Sequence, residues 1–111
     1  MASDLTVTVT ETAGHVEIHL AGEVDLESVG ELRDSIEPYL GPGQTIVMDL
    51  SQITFADSTL LQVLQQARGE LSASGGSLLL RNPSTLARRL LTIGELDALI
   101  HDEVDRQNDP G

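Results

Sequence analysis

Cysteine, lysine and tryptophan are absent from the 111-residue chain, and phenylalanine and tyrosine occur once each. Without cysteine, the protein forms no disulfide, uses no thiol in catalysis and offers no thiolate to a metal. With only Tyr39 and Phe55 as aromatic residues, it has no platform for stacking bases and little to line a sizeable ligand pocket. These absences argue against an enzyme and favour a protein that binds other proteins.

Positive charge is also scarce. Six basic residues, all arginine, stand against 18 acidic ones, which gives a formal net charge of -12. This charge repels phosphate backbones and anionic lipid surfaces, so it argues against nucleic acid and membranes as partners. The start MASDLTVTV does not have the regions of a signal peptide, and no apolar run is long enough to span a bilayer. We therefore expect a soluble, cytoplasmic protein.

The length of the chain predicts one domain over residues 1–111, because domains typically have about 100–150 residues. We expect residues 4–104 to be ordered and residues 105–111 to be a polar, frayed tail. The sequence does not decide between a monomer and a weak dimer formed through an exposed strand edge.

The N-terminal segments LTVTVTE and HVEIHLAGEV predict a β-hairpin. Both alternate apolar and polar residues, and the turn-forming Ala13-Gly14 lies between them. In the second strand, one face should carry Val16, Ile18 and Leu20, and the other His15, Glu17 and His19.

Helical spacing begins at Asp25, which we expect to be the N-cap of the first helix. Its apolar stripe consists of Leu26, Val29, Leu32, Ile36 and Leu40. The helix should end at the GPG of residues 41–43. The next segment, QTIVMDL, is apolar almost throughout and predicts a strand covered on both faces, followed by a short loop, SQIT.

Three more elements and a last strand complete the expected fold. A second helix has the stripe Leu60, Leu61, Leu64, Ala67 and Leu71 and should stop at Gly75-Gly76. SLLLR is a short buried strand, NPSTLARRLLTIG a third helix with Pro83 in its first turn, and ALIHDEV the last strand. The order β-β-α-β-α-β-α-β predicts an α/β sandwich with a mixed, mostly parallel sheet of four to five strands and helices packed on it.

No motif predicts a catalytic residue, a metal or a cofactor. His15 and His19 alternate with Glu17 along one strand, as on a solvated face, and lack a known ligand spacing. GPGQT and SGGSL are turns without the Lys-Ser/Thr pair of a phosphate-binding loop. Ser58 lies outside any Gly-x-Ser-x-Gly elbow, which argues against a hydrolase.

The run FADSTLLQVL places Asp57 and Ser58 where a central strand passes into a helix, the usual place of functional sites in α/β folds. Taken alone, either residue is most simply a helix cap. A hydroxyl at a helix N-terminus is also suited to carry a phosphate, because unpaired N–H groups and the helix dipole favour negative charge there. The residues themselves leave both interpretations open.

Three segments together resemble the STAS domain of anti-sigma factor antagonists. They are LAGEVDLESVGELRDSI, VMDLSQITFADSTLLQVLQQA and RRLLTIGELDALI, and the match that they define extends in order over nearly the whole chain. The most specific motifs are D-L-S followed by D-S-[ST] at a helix start, and Gly22-Glu23-Val24-Asp25, which matches the family's G-E-[LV]-D. The resemblance implies the STAS fold.

In that family, the serine after the motif's Asp is phosphorylated by a partner that is both an anti-sigma factor and a serine kinase of the histidine-kinase-like ATPase type. The resemblance implies that Ser58 is the phosphorylation site, and that Asp25, Asp57, Ser58, Thr59 and Leu60 belong to the partner-binding surface. Asp25 could equally be a cap, and Thr59 a second acceptor. The unmodified protein would bind the partner and free a sigma factor, and phosphorylation would release the partner.

The chain departs from the family at two places. Leu60 stands where the family usually has Gly, and we expect this bulky side chain at the rim of the site to select a divergent kinase. The family also commonly closes with a final helix, for which only the short tail after Val104 remains.

Two rival hypotheses accompany the phosphorylation switch. One is a STAS scaffold subunit that is never phosphorylated and works in a stress-signalling or transporter-associated complex. The other is a small hydrolase that uses Ser58, which would need a nearby base and an oxyanion hole.

Overall fold

The computed structural model of the protein describes residues 4–101. In this range the elements are β1 (Leu5–Thr12), β2 (His15–Val24), α1 (Val29–Ile36), a 3-10 helix (Glu37–Tyr39), β3 (Thr45–Ala56), α2 (Ser58–Ala73), β4 (Ser77–Arg81), α3 (Thr85–Ile93) and a second 3-10 helix (Asp97–Leu99). None of the helices within residues 4–101 is long and apolar enough to cross a membrane. The predicted polar tail and the family's closing helix lie outside the described residues.

The four strands form one sheet in the order β1-β2-β3-β4. β1 and β2 are antiparallel, as the hairpin prediction requires, and their turn uses Gly14 at a φ of 95°. β3 is parallel to both β2 and β4. The predicted mixed, mostly parallel sheet with helices packed on it is confirmed.

The hydrophobic core lies between one face of the sheet and the helices. Along β2, Val16, Ile18 and Leu20 are buried, as predicted. β3 follows the same alternation, so Val47 between two buried residues stays partly exposed. The prediction that this strand is covered on both faces is wrong, because the helices pack on one face only and leave the other open.

β3 is longer than the sequence indicates. Residues 51–54, predicted as a loop, lie inside the strand, where Gln52 and Ile53 pair with Ala21 and Gly22 of β2 between two register shifts. β4 pairs only with residues 45–49, so the second half of β3 extends beyond it. The start of α3 occupies this space: the Ser84 N–H donates to the Leu50 carbonyl at 3.1 Å, and the Ser84 hydroxyl donates to the Ile53 carbonyl at 3.0 Å.

The first helix begins at Val29 rather than after an Asp25 cap. Residues 26–28 form a turn in which the Asp25 carboxylate accepts hydrogen bonds from the N–H groups of Glu27 (3.0 Å) and Ser28 (3.1 Å). Leu26, predicted in the buried stripe, is 79% exposed. The prediction that Asp25 is the N-cap of this helix is therefore wrong. Its carboxylate instead caps backbone N–H groups in the turn that precedes the helix.

The chain after β4 also departs from expectation. α3 begins at Thr85 with Ser84 as its N-cap, so Pro83 precedes the helix instead of lying in its first turn. Ala98 and Leu99, the first residues of the predicted last strand, belong to the 3-10 helix Asp97–Leu99, and of the described part of that strand only Ile100 bridges to Leu80 of β4. Residues 102–104 of that predicted strand lie outside the described residues.

Candidate functional site

The segments that carry Asp25 and Asp57 meet at one edge of the sheet. β2 and β3 end side by side, with Val24 opposite Ala56 in the parallel register. The N–H of Asp57 donates to the carbonyl of Val24 at 3.2 Å, which joins the two strands at their last residues. Asp25 and Asp57 therefore follow the carboxyl ends of two parallel strands, the usual place of sites in α/β folds.

Asp57 is the N-cap of α2. Its backbone is extended, and its carboxylate accepts hydrogen bonds from the N–H (2.9 Å) and the hydroxyl (2.6 Å) of Thr59. These two bonds, the hydroxyl's first, hold the pKa of Asp57 below its usual value because both stabilise the ionised carboxylate. The site therefore carries a firmly held negative charge at the start of the helix.

Ser58 is the first residue of α2 and is exposed. Within residues 4–101, its hydroxyl takes part in no hydrogen bond. The neighbouring Thr59 differs, because it is half-buried and its hydroxyl is bonded to Asp57. Of the two candidate acceptors, Ser58 is the one whose hydroxyl is both accessible and unengaged.

Leu60 does not lie at the rim of the site. Its side chain is 0% exposed and belongs to the core, together with Val63 and Leu64 on the same helix. The expectation of a bulky residue in direct contact with a partner is wrong, and with it the basis for inferring a divergent kinase. Leu60 instead anchors the first turn of α2 to the sheet, as its place in the helical stripe indicates.

Ser28 also belongs to the site, although no motif in the sequence singles it out. It is a buried polar residue, 3% exposed, and its hydroxyl donates to the Glu23 carbonyl at 2.7 Å and accepts from the Asp25 N–H at 3.0 Å. These bonds hold the turn that presents Asp25 at the sheet edge. The spacing D-x-x-S in residues 25–28 is the pattern that could have revealed it, since Asp and Ser so spaced commonly bond local backbone groups.

Gly22 is the first residue of the G-E-V-D motif, and the structure explains why this position needs a glycine. Its φ is +112°, and a Cβ added there would collide with the backbone carbonyl oxygen of Asp4. A side chain is therefore excluded by both the backbone conformation and the close approach of the chain before β1. Gly22 therefore acts on the fold, because it lets the chain before β1 approach the end of β2 closely.

The histidines lie away from Ser58. His15 and His19 share the open face of the sheet with Glu17, as predicted, at 3.0 Å and 3.6 Å from its carboxylate, and Arg81 donates to the same carboxylate at 3.2 Å. The part of the chain that the structure describes contains no cluster of His, Cys, Asp or Glu suited to a metal. In residues 4–101 no histidine bonds to Ser58, so the geometry lends no support to a hydrolase.

A mixed four-stranded sheet with helices packed on it is the fold expected of a STAS domain. The family model described as Mlab, STAS domain matches residues 7–101. The chain belongs to the STAS domain family, as its motifs indicated.

Two curated relatives are antagonists of anti-sigma factors. The chain is 30% identical over 97 residues to the anti-sigma-B factor antagonist of Bacillus subtilis (strain 168), covering 87% of this chain and 89% of that protein. It is 30% identical over 94 residues to the anti-sigma F factor antagonist of Lysinibacillus sphaericus, covering 83% and 80%. Among solved structures, the anti-sigma factor antagonist SpoIIAA in its unphosphorylated form matches with a TM-score of 0.79 at 25% identity, covering 92% of this chain and 96% of that one.

Proposed function

We propose that the protein is an anti-sigma factor antagonist controlled by phosphorylation of Ser58. The unmodified form binds an anti-sigma factor that is also a serine kinase of the histidine-kinase-like ATPase type, and this binding frees a sigma factor. The observation that carries the proposal is the exposed, unengaged hydroxyl of Ser58 at the first residue of α2. The names of the two curated relatives support the same role.

In this proposal, each site residue has a distinct part. Ser58 accepts the phosphate, and Asp57 orders the helix start that presents it. Thr59 holds the Asp57 carboxylate, while Asp25 lies on the adjacent turn as a second acidic group facing the partner. The protein is the substrate of the kinase and not itself an enzyme, so ATP and its metal ion belong to the partner.

Release follows from the charge that phosphorylation adds. A phosphoserine carries about −1.5 to −2 charges at neutral pH. The Thr59 N–H is already taken by Asp57, so a phosphate on Ser58 meets an existing carboxylate at the same helix terminus. Like-charge repulsion and desolvation at an interface that fits the neutral serine would cost several kcal/mol. Since about 1.4 kcal/mol changes affinity tenfold, this is enough to release the partner.

Binding measurements on serine variants test the proposal. The probes are the purified histidine-kinase-like serine kinases of the host, and affinity is measured for the wild type, Ser58→Ala, Ser58→Asp and the phosphorylated wild type. Ser72→Asp is the matched control, since Ser72 is an exposed serine at the other end of the same helix. We expect Ser58→Ala and the control to bind like the wild type, and Ser58→Asp and the phosphorylated protein to lose binding.

The rival hypotheses give other results. A scaffold subunit that is never phosphorylated predicts similar binding for the wild type, Ser58→Ala, Ser58→Asp and Ser72→Asp, and equal binding of Ser58→Asp and the wild type would overturn the switch. A hydrolase would be labelled at Ser58 by a serine-reactive phosphonate, and we expect no labelling.

A further inference from the structure

Large apolar side chains are exposed at four positions in residues 4–101: Leu26 (79%), Ile93 (75%), Phe55 (44%) and Leu86 (38%). Single exposed apolar residues are ordinary on protein surfaces, but a group of them around one site marks an interaction surface. Leu26 and Phe55 lie at the two strand ends beside Ser58, and Ile93 lies at the end of α3 that contacts α2, whereas Leu86 lies at the other end of α3.

Leu26 and Phe55 belong to the two strand ends. Leu26 directly follows Asp25, in the turn that begins where the Val24 carbonyl accepts the N–H of Asp57. Phe55 is the penultimate residue of β3, two residues before Asp57. Both side chains therefore stand at the same sheet edge as the Ser58 hydroxyl.

Ile93 is the last residue of α3, at the end of that helix that approaches α2. The next residue, Gly94, lies so close to α2 that an added Cβ would come within 2.8 Å of a Leu61 methyl, and its carbonyl accepts from the Gln65 side chain at 3.3 Å. Ser58, Leu61 and Gln65 are spaced by three and four residues and so share one face of α2. At 1.5 Å per residue, Gly94 lies beside that face roughly 5–10 Å along the helix from Ser58.

We infer that Leu26, Phe55 and Ile93, here named the apolar rim, are the anchors that hold the anti-sigma factor over Ser58. This inference rests on the proposed function and deepens it. A few apolar or aromatic anchors usually carry most of the binding energy of an interface, with polar groups around them. The apolar rim supplies affinity, while the charge state of Ser58 decides whether the surfaces fit together.

The charges around the apolar rim define the partner's chemistry. Glu23, Asp25 and Glu27 lie near Leu26 in the sequence and Asp57 lies next to Ser58, whereas the exposed Arg89 lies one helical turn before Ile93. The surface that fits is therefore one with apolar pockets that is basic where it faces Leu26 and Asp57. A second copy of this chain does not meet that requirement, because two chains with a formal charge of -12 each would bring acidic rims together.

Substitution of the two most exposed anchors tests the inference. Leu26→Ser and Ile93→Ser change side chains that are mostly in water, so the midpoint of thermal unfolding should stay unchanged. Pro42→Ser is the control, an exposed apolar residue before β3 and thus roughly 40 Å from the site along that strand. Against the kinase that the wild type binds, we expect each rim variant to lose at least about tenfold in affinity and the control to lose none.

The outcomes separate this inference from the proposed function. If the wild type binds and Ser58→Asp does not, but both rim variants bind like the wild type, only the apolar rim is overturned. If no kinase binds the wild type, or if Ser58→Asp binds equally well, the proposed function fails and the inference fails with it. A wild-type dimer that dissociates in both rim variants, seen by sedimentation, would assign the surface to a second copy and also overturn it.

Discussion

The N–H of Asp57 donates a 3.2 Å hydrogen bond to the carbonyl of Val24, and this bond joins the two acidic segments of the site. Asp25 and Asp57 are distant in the sequence, but each follows the last residue of one of two neighbouring parallel strands. The place of Ser58 therefore depends on the pairing of β2 with β3 down to their ends. Residues that hold this pairing are as important for the site as those that face the partner.

Gly22→Ala should destabilise the fold strongly. An alanine at a φ of +112° is strained, and its Cβ would collide with the Asp4 carbonyl oxygen, so we expect a loss of about 2–4 kcal/mol in the free energy of unfolding. The measurement is urea unfolding followed by circular dichroism.

Gly14→Ala is the control for that experiment. Gly14 also has a positive φ, +95°, but nothing lies within 4 Å of an added Cβ. Its substitution should cost only the conformational strain, about 1 kcal/mol. Equal losses for the two variants would contradict the collision at Gly22.

Asp57→Ala should cost about 1 kcal/mol of stability, because it removes the N-cap of α2. Asp34→Ala, at an exposed position of α1, is the control and should cost nothing measurable. Since the cap orders the turn that carries Ser58, we also expect slower phosphorylation of the Asp57 variant. Unchanged stability of Asp57→Ala would contradict the capping role.

Asp57→Asn isolates the charge of the cap, since Asn caps helices about as well as Asp. The folded pKa of Asp57 is lowered, so the charge contributes stability above the unfolded pKa of about 3.9 and loses this contribution as the pH falls through the folded value. The variant should therefore be less stable than the wild type at pH 7 and equally stable at a pH below both pKa values. Unfolding curves over this range measure the difference, and a gap that widens towards acid pH would contradict the assignment.

Glu17→Gln should cost up to about 1 kcal/mol at pH 7. The Glu17 carboxylate accepts from His15 and Arg81 on the open face of the sheet, and the hydrogen bond from His15 is the main cause of its lowered pKa. Chemical unfolding at pH 7 measures the loss, with the exposed Glu70→Gln as the control. Partner binding should stay unchanged, because these residues lie away from Ser58.

Gly69→Ala should stabilise the protein by about 0.5–1 kcal/mol. Gly69 is an exposed residue inside α2, and nothing lies within 4 Å of an added Cβ. Alanine favours the helix and restricts the unfolded chain, so thermal unfolding should move to higher temperature. A lower midpoint of thermal unfolding for the variant would contradict the open space found around Gly69.

The sequence predicted the elements whose periodicity is unbroken. β1, β2 and α2 follow from alternation, helical spacing and an Asp cap, and Ser58 at the helix start follows from the same pattern. Two features of the sequence led to different predictions for Leu60. Its place in the helical stripe predicted a buried side chain, whereas the comparison with the family's Gly predicted one on the surface. The prediction from the stripe is correct, since Leu60 is 0% exposed.

The predictions that failed concern residues whose structure is set by tertiary contacts, and a local sequence pattern does not contain these contacts. Ser51 and Gln52 look like a loop because they are polar, yet β3 continues through them with β2 as its one neighbouring strand in the described residues, and their side chains are exposed to water. Leu26 fits the spacing of a helix, but the bonds of Asp25 and Ser28 form a turn that directs it outward. The apolar rim is invisible in the sequence for the same reason.

The most direct test of the account is the intact mass of the protein after incubation with Mg-ATP in lysate of its native host, for the wild type and Ser58→Ala in parallel. The account predicts one added phosphate on the wild type and none on the variant. An unmodified wild type, in lysate where another STAS antagonist is phosphorylated, or a phosphate that persists on Ser58→Ala, would contradict it.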